Sequence, residues 1–164
     1  MSSAWRWFAL SAAIVAADQL AKWAVLDYFA GREPREPITG FLNLVLVCNK
    51  GAAFSFLAGA PGWQTPLFIV FALVAAGVCG VLIVRNPGKK LFSAGLALVV
   101  GGALGNVIDR VRFGCVVDYL DFYILERWPH WPAFNVADSA ITVGAVLLIL
   151  DGFLHHEKRA RAPS

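Results

Sequence analysis

Four long apolar stretches run through the chain, separated by segments in which charged residues and prolines concentrate. A helix needs about 20 mostly apolar residues to cross the hydrocarbon core of a bilayer. The stretches that meet or nearly meet this length cover residues 5–29, 67–84, 91–108 and 135–154. The second of them contains no charged side chain at all. The pattern therefore predicts four membrane-spanning helices.

The segments that connect these spans differ in kind. Residues 85–90 are short and basic and contain a Pro-Gly pair, which predicts a tight turn. The two longer connections cover residues 30–66 and 111–134. Each contains a short run with β-strand character, at residues 41–47 and 115–117. Because two spans separate the longer connections, both lie on the same side of the membrane.

The predicted fold class is an all-α polytopic membrane protein, with four transmembrane helices and a small β-containing extracytoplasmic loop region. We expect a single integral membrane domain over residues 1–164. The composition agrees, since 59% of residues are hydrophobic and 15% charged, whereas soluble domains carry about 25% charge. The mean hydropathy is +0.65, which excludes a disordered chain and argues against a soluble enzyme. The net charge of +3 is too small to indicate nucleic-acid binding.

The three cysteines, Cys48, Cys79 and Cys115, lie far apart in the chain and form no CxxC motif. This spacing indicates neither a disulfide framework nor a zinc site. Cys48 and Cys115 belong to the two longer connections and so lie on the same side of the membrane. The sequence leaves open whether these two residues pair.

Lysine and arginine residues near the span ends set the orientation of a membrane protein, with the excess on the cytoplasmic side. Here the two sides are nearly balanced. The compact basic turn at residues 85–90 and the basic tail at residues 155–161 favour cytoplasmic termini. The two longer connections are then extracytoplasmic.

Two charged residues lie inside the first span. A charge at the bilayer centre costs about 2.5–3.5 kcal/mol on insertion scales, so its presence needs a reason. Asp18 and Lys22 are spaced i,i+4 with the acid first, the favourable order for a helical ion pair. The pair is either purely structural or a support for a functional site, and the spacing is compatible with both.

The end of the third span combines small and polar residues. Gly101 and Gly105 form a GxxxG step, which lets another helix approach closely. Asn106, Asp109 and Arg110 follow at spacings that place them on one helix face. The cluster indicates either a polar site or close packing combined with snorkelling of Arg110 towards the membrane surface.

Two further aspartates reach the same membrane surface from different segments. Asp138 follows Asn135 by three residues, a spacing typical of a capping box at a helix start. Asp118 lies in the preceding connection on the same side of the membrane. Two acids brought together in this way are also what an acid–base dyad requires. The residues alone leave both interpretations open.

Other chemistries lack their motifs. The chain has no HExxH, GxSxG, Walker or dinucleotide-binding sequence, so we expect neither a bound metal nor a cofactor. A proton relay or ion-coupled transporter, with Asp18, Asp109 and Asp138 along its path, is one alternative to an enzyme. A non-catalytic assembly factor that pairs through the GxxxG step is another, although it leaves Asp118 unexplained.

The polar blocks, taken in order, resemble the bacterial lipoprotein signal peptidases (signal peptidase II), which are four-span aspartyl endopeptidases of the inner membrane. The resemblance covers nearly the whole chain. The matching blocks are Asp18-Gln-Leu-Ala-Lys22, Asn49-Lys-Gly-Ala-Ala-Phe54, Gly101-Gly-Ala-Leu-Gly-Asn-Val-Ile-Asp-Arg110, Val116-Val-Asp-Tyr119 and Phe134-Asn-Val-Ala-Asp138. Five blocks in the right order are far more specific than any one of them.

The resemblance implies that Asp118 and Asp138 are the catalytic pair. It also implies a supporting and substrate-binding set, which comprises Asp18, Lys22, Asn49, Gly51, Asn106, Asp109, Arg110, Asn135 and Ala137. The implied substrate is a prolipoprotein whose cysteine carries diacylglycerol, cut just before that cysteine. The implied location is the bacterial inner membrane, with membrane lipids as further partners, no nucleic acid and an active site near the periplasmic face. The helix dipole favours Asp138 as the ionised member of the pair, whereas burial opposes that assignment.

Overall fold

A computed structural model of the chain describes residues 4–51, 61–123 and 132–160, with side chains up to residue 154. Within these residues the chain forms helices and strands in one order along the sequence. They are α1 (Trp5–Tyr28), β1 (Arg35–Thr39), β2 (Leu42–Asn49), α2 (Gln64–Arg85), α3 (Lys90–Phe113), β3 (Val116–Phe122) and α4 (Val136–Ala160).

Each of the four apolar stretches is a helix that is long and apolar enough to cross a membrane. In the hydrocarbon core a helix satisfies every backbone polar group internally, which is why the apolar pattern predicts helices so directly. The third helix, α3, is the most buried and packs against the other three. It continues past residue 108 to Phe113 and ends at Gly114, whose φ of 73° is the left-handed conformation typical of a helix C-terminus.

Glycines on α3 allow this central position. A Cβ atom at Gly101 would lie 2.9 Å from the carbonyl oxygen of Ser11, and one at Gly105 would lie 2.7 Å from a carboxylate oxygen of Asp18. The close approach predicted from the GxxxG step is therefore confirmed, and the helix that approaches is α1. Gly102, between them, does the same for α4, since a Cβ there would overlap the carbonyl oxygen of Ala137.

The three strands form one antiparallel sheet in the order β1-β2-β3. The predicted run at 41–47 is β2, and the short run at 115–117 marks the start of β3. The first strand, β1, was not predicted, because all five of its residues are exposed and one is proline. It is an edge strand that depends on its pairing with β2, and an edge is where a sheet tolerates proline.

A disulfide joins Cys48 at the end of β2 to Cys115, which directly precedes β3. The two residues are 67 positions apart in the chain, so spacing alone left their pairing open. Cys79, on α2, remains a free thiol.

Candidate active site

Asp118 of β3 and Asp138 of α4 line the same cavity, which has a volume of about 650 Å³. Most of its wall comes from three helices and is largely apolar. The apolar lining includes Phe68, Phe71, Ala72 and Ala75 of α2, Val99 and Ala103 of α3, and Ile141 and Val143 of α4. The buried carboxylate of Asp118 and the half-buried carboxylate of Asp138 thus face one largely apolar cavity from different elements.

Amide side chains orient both carboxylate oxygens of Asp118. Asn49 donates a hydrogen bond from Nδ2 to Oδ2 at 3.0 Å, and Asn135 donates from Nδ2 to Oδ1 at 2.7 Å. Asn49 is placed by the β2–β3 ladder, in which it is opposite Val116 while Val47 is opposite Asp118. The sheet therefore determines how Asn49 meets Asp118.

Asp138 lies in the first turn of α4 and has two roles there. Its backbone N–H donates to Asn135 Oδ1 at 2.8 Å, so Asn135 caps the helix. The predicted capping by Asn135 is thus confirmed. The Asp138 Oδ1 atom also accepts a hydrogen bond from Asn106 Nδ2 at 2.8 Å, on the cavity side. The structural and the functional interpretations of Asp138 are compatible.

A buried charge cluster lies behind the two aspartates. Lys22 Nζ contacts Asp18 Oδ2 at 2.8 Å and Asp109 Oδ2 at 2.7 Å, and it donates to Asn106 Oδ1 at 3.1 Å. All three charged side chains are almost fully buried. The i,i+4 ion pair predicted from the sequence is confirmed, and Asp109 is a second partner of the same lysine.

The cluster is also bonded to the backbone that carries the catalytic candidates. Asp18 Oδ1 accepts the N–H of Ala137 at 2.9 Å, and Asp109 Oδ2 accepts the N–H of Val117 at 3.1 Å. Ala137 and Val117 directly precede Asp138 and Asp118. The charge cluster therefore holds both aspartates at their backbones, from α1 and from α3.

Arg110 extends into the site rather than towards the membrane surface. Its guanidinium donates to the carbonyl oxygen of Gly51 at 2.9 Å and lies 5.3 Å from the ring centre of Phe68. Gly51 in turn donates its N–H to Asn49 Oδ1 at 2.9 Å. The Nε of Arg110 is buried and has no hydrogen-bond partner among the described residues. The side chain of Arg110 thus lines the same cavity as the two acids.

The electrostatic environment raises the pKa of Asp118 to about 7. Burial is the main cause, because removing a carboxylate from water disfavours its charged form. The negative charge of Asp138 acts in the same direction, whereas the hydrogen bonds from Asn49 and Asn135 and the charge of Lys22 oppose it. Asp118 is therefore about half protonated at neutral pH.

The family model for Signal peptidase (SPase) II matches residues 10–154. The chain belongs to this family. It is 55% identical over 145 residues to a lipoprotein signal peptidase of Paraburkholderia phytofirmans, covering 88% of this chain and 83% of the relative. The lipoprotein signal peptidase of Ralstonia nicotianae is 56% identical over 145 residues, covering 88% of this chain and 82% of the relative. As a member of the signal peptidase II family, the chain is a peptidase.

The fold has solved counterparts. A bacterial membrane enzyme of known structure superimposes with a TM-score of 0.77 and 26% identity, over 97% of this chain and 93% of the other. A second such enzyme gives a TM-score of 0.72 and 27% identity, over 88% and 90% of the two chains. The four helices and the small sheet of this signal peptidase are therefore an established arrangement.

The structure brings together the whole set of site residues expected from the sequence. The set comprises Asp118, Asp138, Asp18, Lys22, Asn49, Gly51, Asn106, Asp109, Arg110, Asn135 and Ala137. Residues 52–54, which complete the second matching block, lie outside the described residues. Asp18 and Asp109, which the transporter alternative placed along a path with Asp138, instead form ion pairs with Lys22.

Sequence reasoning missed Gln19. Its Nε2 donates to Asp109 Oδ1 at 2.8 Å, to the Gly105 carbonyl at 3.2 Å and to Asp18 Oδ2 at 3.3 Å. Gln19 thus satisfies Asp109 Oδ1, which Lys22 leaves open, and shares Asp18 Oδ2 with Lys22. The available signal was its position beside Asp18 inside a membrane span, where an uncharged polar side chain also needs a partner.

Proposed function

We propose that this signal peptidase is an aspartyl endopeptidase that removes the signal peptide from diacylglyceryl-modified prolipoproteins, cutting just before the lipidated cysteine. The observation that carries the proposal is the meeting of Asp118 and Asp138 in one largely apolar cavity. Relatives at more than half identity are named lipoprotein signal peptidases, which supports this substrate class. The apolar walls supplied by α2 and α4 suit a substrate whose acyl chains stay in lipid.

In the proposed reaction Asp138 is the ionised acid and Asp118 the protonated one. Asp138 lies at the N-terminus of α4, where the helix dipole favours negative charge, and it accepts the amide hydrogen of Asn106. It takes a proton from a water molecule, whose oxygen attacks the peptide carbonyl carbon. Asp118 gives its proton to the carbonyl oxygen. Asp138 then gives its proton to the leaving nitrogen as the carbon–nitrogen bond breaks, and Asp118 takes back the proton of the hydroxyl group as the carbonyl re-forms.

Arg110 is suited to hold the peptide during this reaction. Its side chain lines the cavity together with the two acids, and its guanidinium already donates to one backbone carbonyl, that of Gly51. A backbone carbonyl of the bound peptide is a further acceptor for the same guanidinium. This contact places the scissile bond at the polar end of the cavity.

The direct test of the proposed function is cleavage by the purified full-length protein of a diacylglyceryl-modified precursor, with the unmodified precursor as the matched substrate. We expect product only from the modified precursor, with the lipidated cysteine as its first residue by mass spectrometry. Equal cleavage of both precursors would refute lipid-dependent recognition.

The same proposal places both termini in the cytoplasm and the active site near the periplasmic face of the inner membrane. The disulfide between Cys48 and Cys115 supports this orientation independently of the basic residues. Disulfides persist in the periplasm, whereas the cytosol keeps thiols reduced. The sheet and the carboxylates beside it therefore belong on the periplasmic side.

Cysteine accessibility checks this topology. In a Cys79→Ser background, we expect Arg32→Cys to react with a membrane-impermeant thiol reagent added from the periplasm and Lys89→Cys to be protected. Both positions are exposed in the structure, so protection reports the membrane and not burial. Arg127, expected on the same side as Arg32, lies outside the described residues. Labelling at 89 with protection at 32 would reverse the orientation.

The raised pKa of Asp118 predicts the alkaline limb of the pH–rate profile. Asp118 must be protonated at the start of the reaction, so we expect kcat to fall as the pH rises through about 7. The hydrogen bond from Asn49 lowers this pKa. Asn49→Ala is therefore expected to move the alkaline limb to higher pH while lowering the maximal rate. If the alkaline limb of Asn49→Ala stays at the wild-type pH, the limb reflects the titration of a group other than Asp118.

Asp121 tests whether the assignment of the pair is specific. It lies on β3 close to Asp118, but it accepts a hydrogen bond from Asn43 Nδ2 at 2.8 Å and does not occur among the described residues that line the cavity. We expect Asp121→Asn to retain substantial cleavage activity, because the amide still bonds to Asn43 and the cavity loses no acid. Complete loss of cleavage by folded Asp121→Asn protein would reassign the catalytic pair.

A further inference from the structure

The disulfide between Cys48 and Cys115 lies directly beside the site. Cys48 precedes Asn49, whose amide bonds to Asp118, and Cys115 precedes β3, which carries Asp118. We propose that this disulfide is a positioning element of the active site, which holds Asn49 against Asp118, and that its reduction lowers the rate of peptide cleavage. The inference rests on the proposed function, because it needs Asp118 to act in the reaction.

The position of the bond in the fold supports this role. The β2–β3 ladder ends with Asn49 opposite Val116, and beyond Asn49 the chain leaves the sheet. Strand ends open more readily than strand centres, since they have fewer bonds to break. The disulfide closes this end, because it joins Cys48, next to the last residue of β2, to the junction where α3 passes through Gly114 into β3.

Several contacts of the site depend on the segment held in this way. Asn49 Nδ2 donates to Asp118 at 3.0 Å, and Asn49 Oδ1 accepts the N–H of Gly51 at 2.9 Å. The carbonyl of Gly51 accepts the hydrogen bond from Arg110 at 2.9 Å. If the end of β2 moves away from β3, both Asp118 and Arg110 lose a partner at once. The helices that form the cavity walls keep their packing.

The disulfide is accessible to a reductant from one side. Cys48 is exposed, whereas Cys115 is only 3% exposed. A dithiol reductant therefore attacks Sγ of Cys48, and Sγ of Cys115 leaves as a thiolate that takes up a proton. The second thiol of the reductant then breaks the mixed disulfide. The products are two cysteine thiols and an oxidised, cyclic reductant, so two electrons and two protons are transferred in all.

The test compares the purified full-length enzyme before and after dithiothreitol treatment, with the state of each cysteine determined by alkylation and mass spectrometry. We expect reduction to lower kcat by up to about 100-fold, since a misplacement of about 1 Å can produce a decrease of that size. We expect little change in KM. The double variant Cys48→Ser/Cys115→Ser is expected to match the reduced enzyme and not to respond to dithiothreitol. Cys79→Ser is the matched control and is expected to respond as the wild type does.

The pH profile separates positioning from a general loss of stability. Among the residues that the structure describes, the charged groups that face Asp118 are Asp138 of α4, Lys22 of α1 and Arg110 of α3, and reduction leaves their charges unchanged. Since the Asn49 hydrogen bond lowers the pKa of Asp118, loosening it is expected to move the alkaline limb to higher pH. In Asn49→Ala protein, reduction is expected to produce no further movement of that limb.

The outcomes are distinguishable. If the oxidised wild type cleaves the lipidated precursor and reduction changes neither kcat nor the alkaline limb, the positioning role is wrong and the proposed function stands. The positioning role is also wrong if Cys48 and Cys115 are free and can be alkylated in the untreated enzyme purified from the membrane. If the oxidised wild type does not cleave the lipidated precursor at all, the proposed function fails and this inference falls with it.

Discussion

Asp118→Asn and Asp138→Asn are each expected to reduce precursor cleavage by at least the 10²–10⁴-fold that general acid–base catalysis typically contributes. Each change keeps the size of the side chain but removes an ionisable group from a pair that must share one proton. Either variant lacks a group that both accepts the proton of water and returns it. Because the two acids act as a unit, the double variant is expected to be little worse than either single one.

The fold is expected to survive these substitutions. Asn at position 118 is neutral, as the protonated form of Asp118 is, and it keeps an oxygen that can accept from Asn135. Asn at position 138 keeps the backbone N–H that Asn135 caps. Cleavage is therefore measured per amount of folded, membrane-inserted protein, with Asp121→Asn as the matched acid-to-amide control. Near wild-type cleavage by Asp118→Asn would rule out the aspartyl mechanism.

Lys22→Met is expected to have the largest effect on stability. Lys22 is 2% exposed and neutralises Asp18 and Asp109, both of which are fully buried. Its removal leaves two buried carboxylates without a cation, and breaking a buried ion pair in this way costs about 3–5 kcal/mol. It also removes the hydrogen bond to Asn106 that orients the amide facing Asp138. We expect a marked drop in the thermal unfolding temperature, measured in detergent, and a loss of activity.

A triple variant separates charge from shape. In Asp18→Asn/Lys22→Met/Asp109→Asn the buried charges are gone, yet both asparagines keep an oxygen for the N–H groups of Ala137 and Val117. Replacing a whole buried ionic cluster is often nearly neutral, so we expect this variant to regain much of the lost stability. Lys90→Met, at an exposed lysine, is the control and is expected to unfold near the wild-type temperature. A Lys22→Met protein as stable as the wild type would contradict the structural role of the cluster.

The apolar pattern of the sequence determined the helices. In a membrane, backbone groups that leave the helix have no water to bond to, so long apolar stretches have one structure available. Contacts between residues close in sequence followed as well. The Asp18–Lys22 ion pair and the capping of α4 by Asn135 depend only on helix geometry over a few residues. The GxxxG spacing predicted that another helix approaches α3 closely, but only the structure shows that this helix is α1.

Only the tertiary structure decided which distant residues meet. The second partner of Lys22, Asp109, comes from another helix. Gln19 completes the same cluster, although no sequence spacing predicts its contact with Asp109. The pairing of Cys48 with Cys115 spans 67 residues. The strand β1, fully exposed, exists through its ladder with β2 and not through a pattern of its own. These features depend on how α1, α3, α4 and the sheet pack together, and local sequence patterns carry little information about packing between elements far apart in the chain.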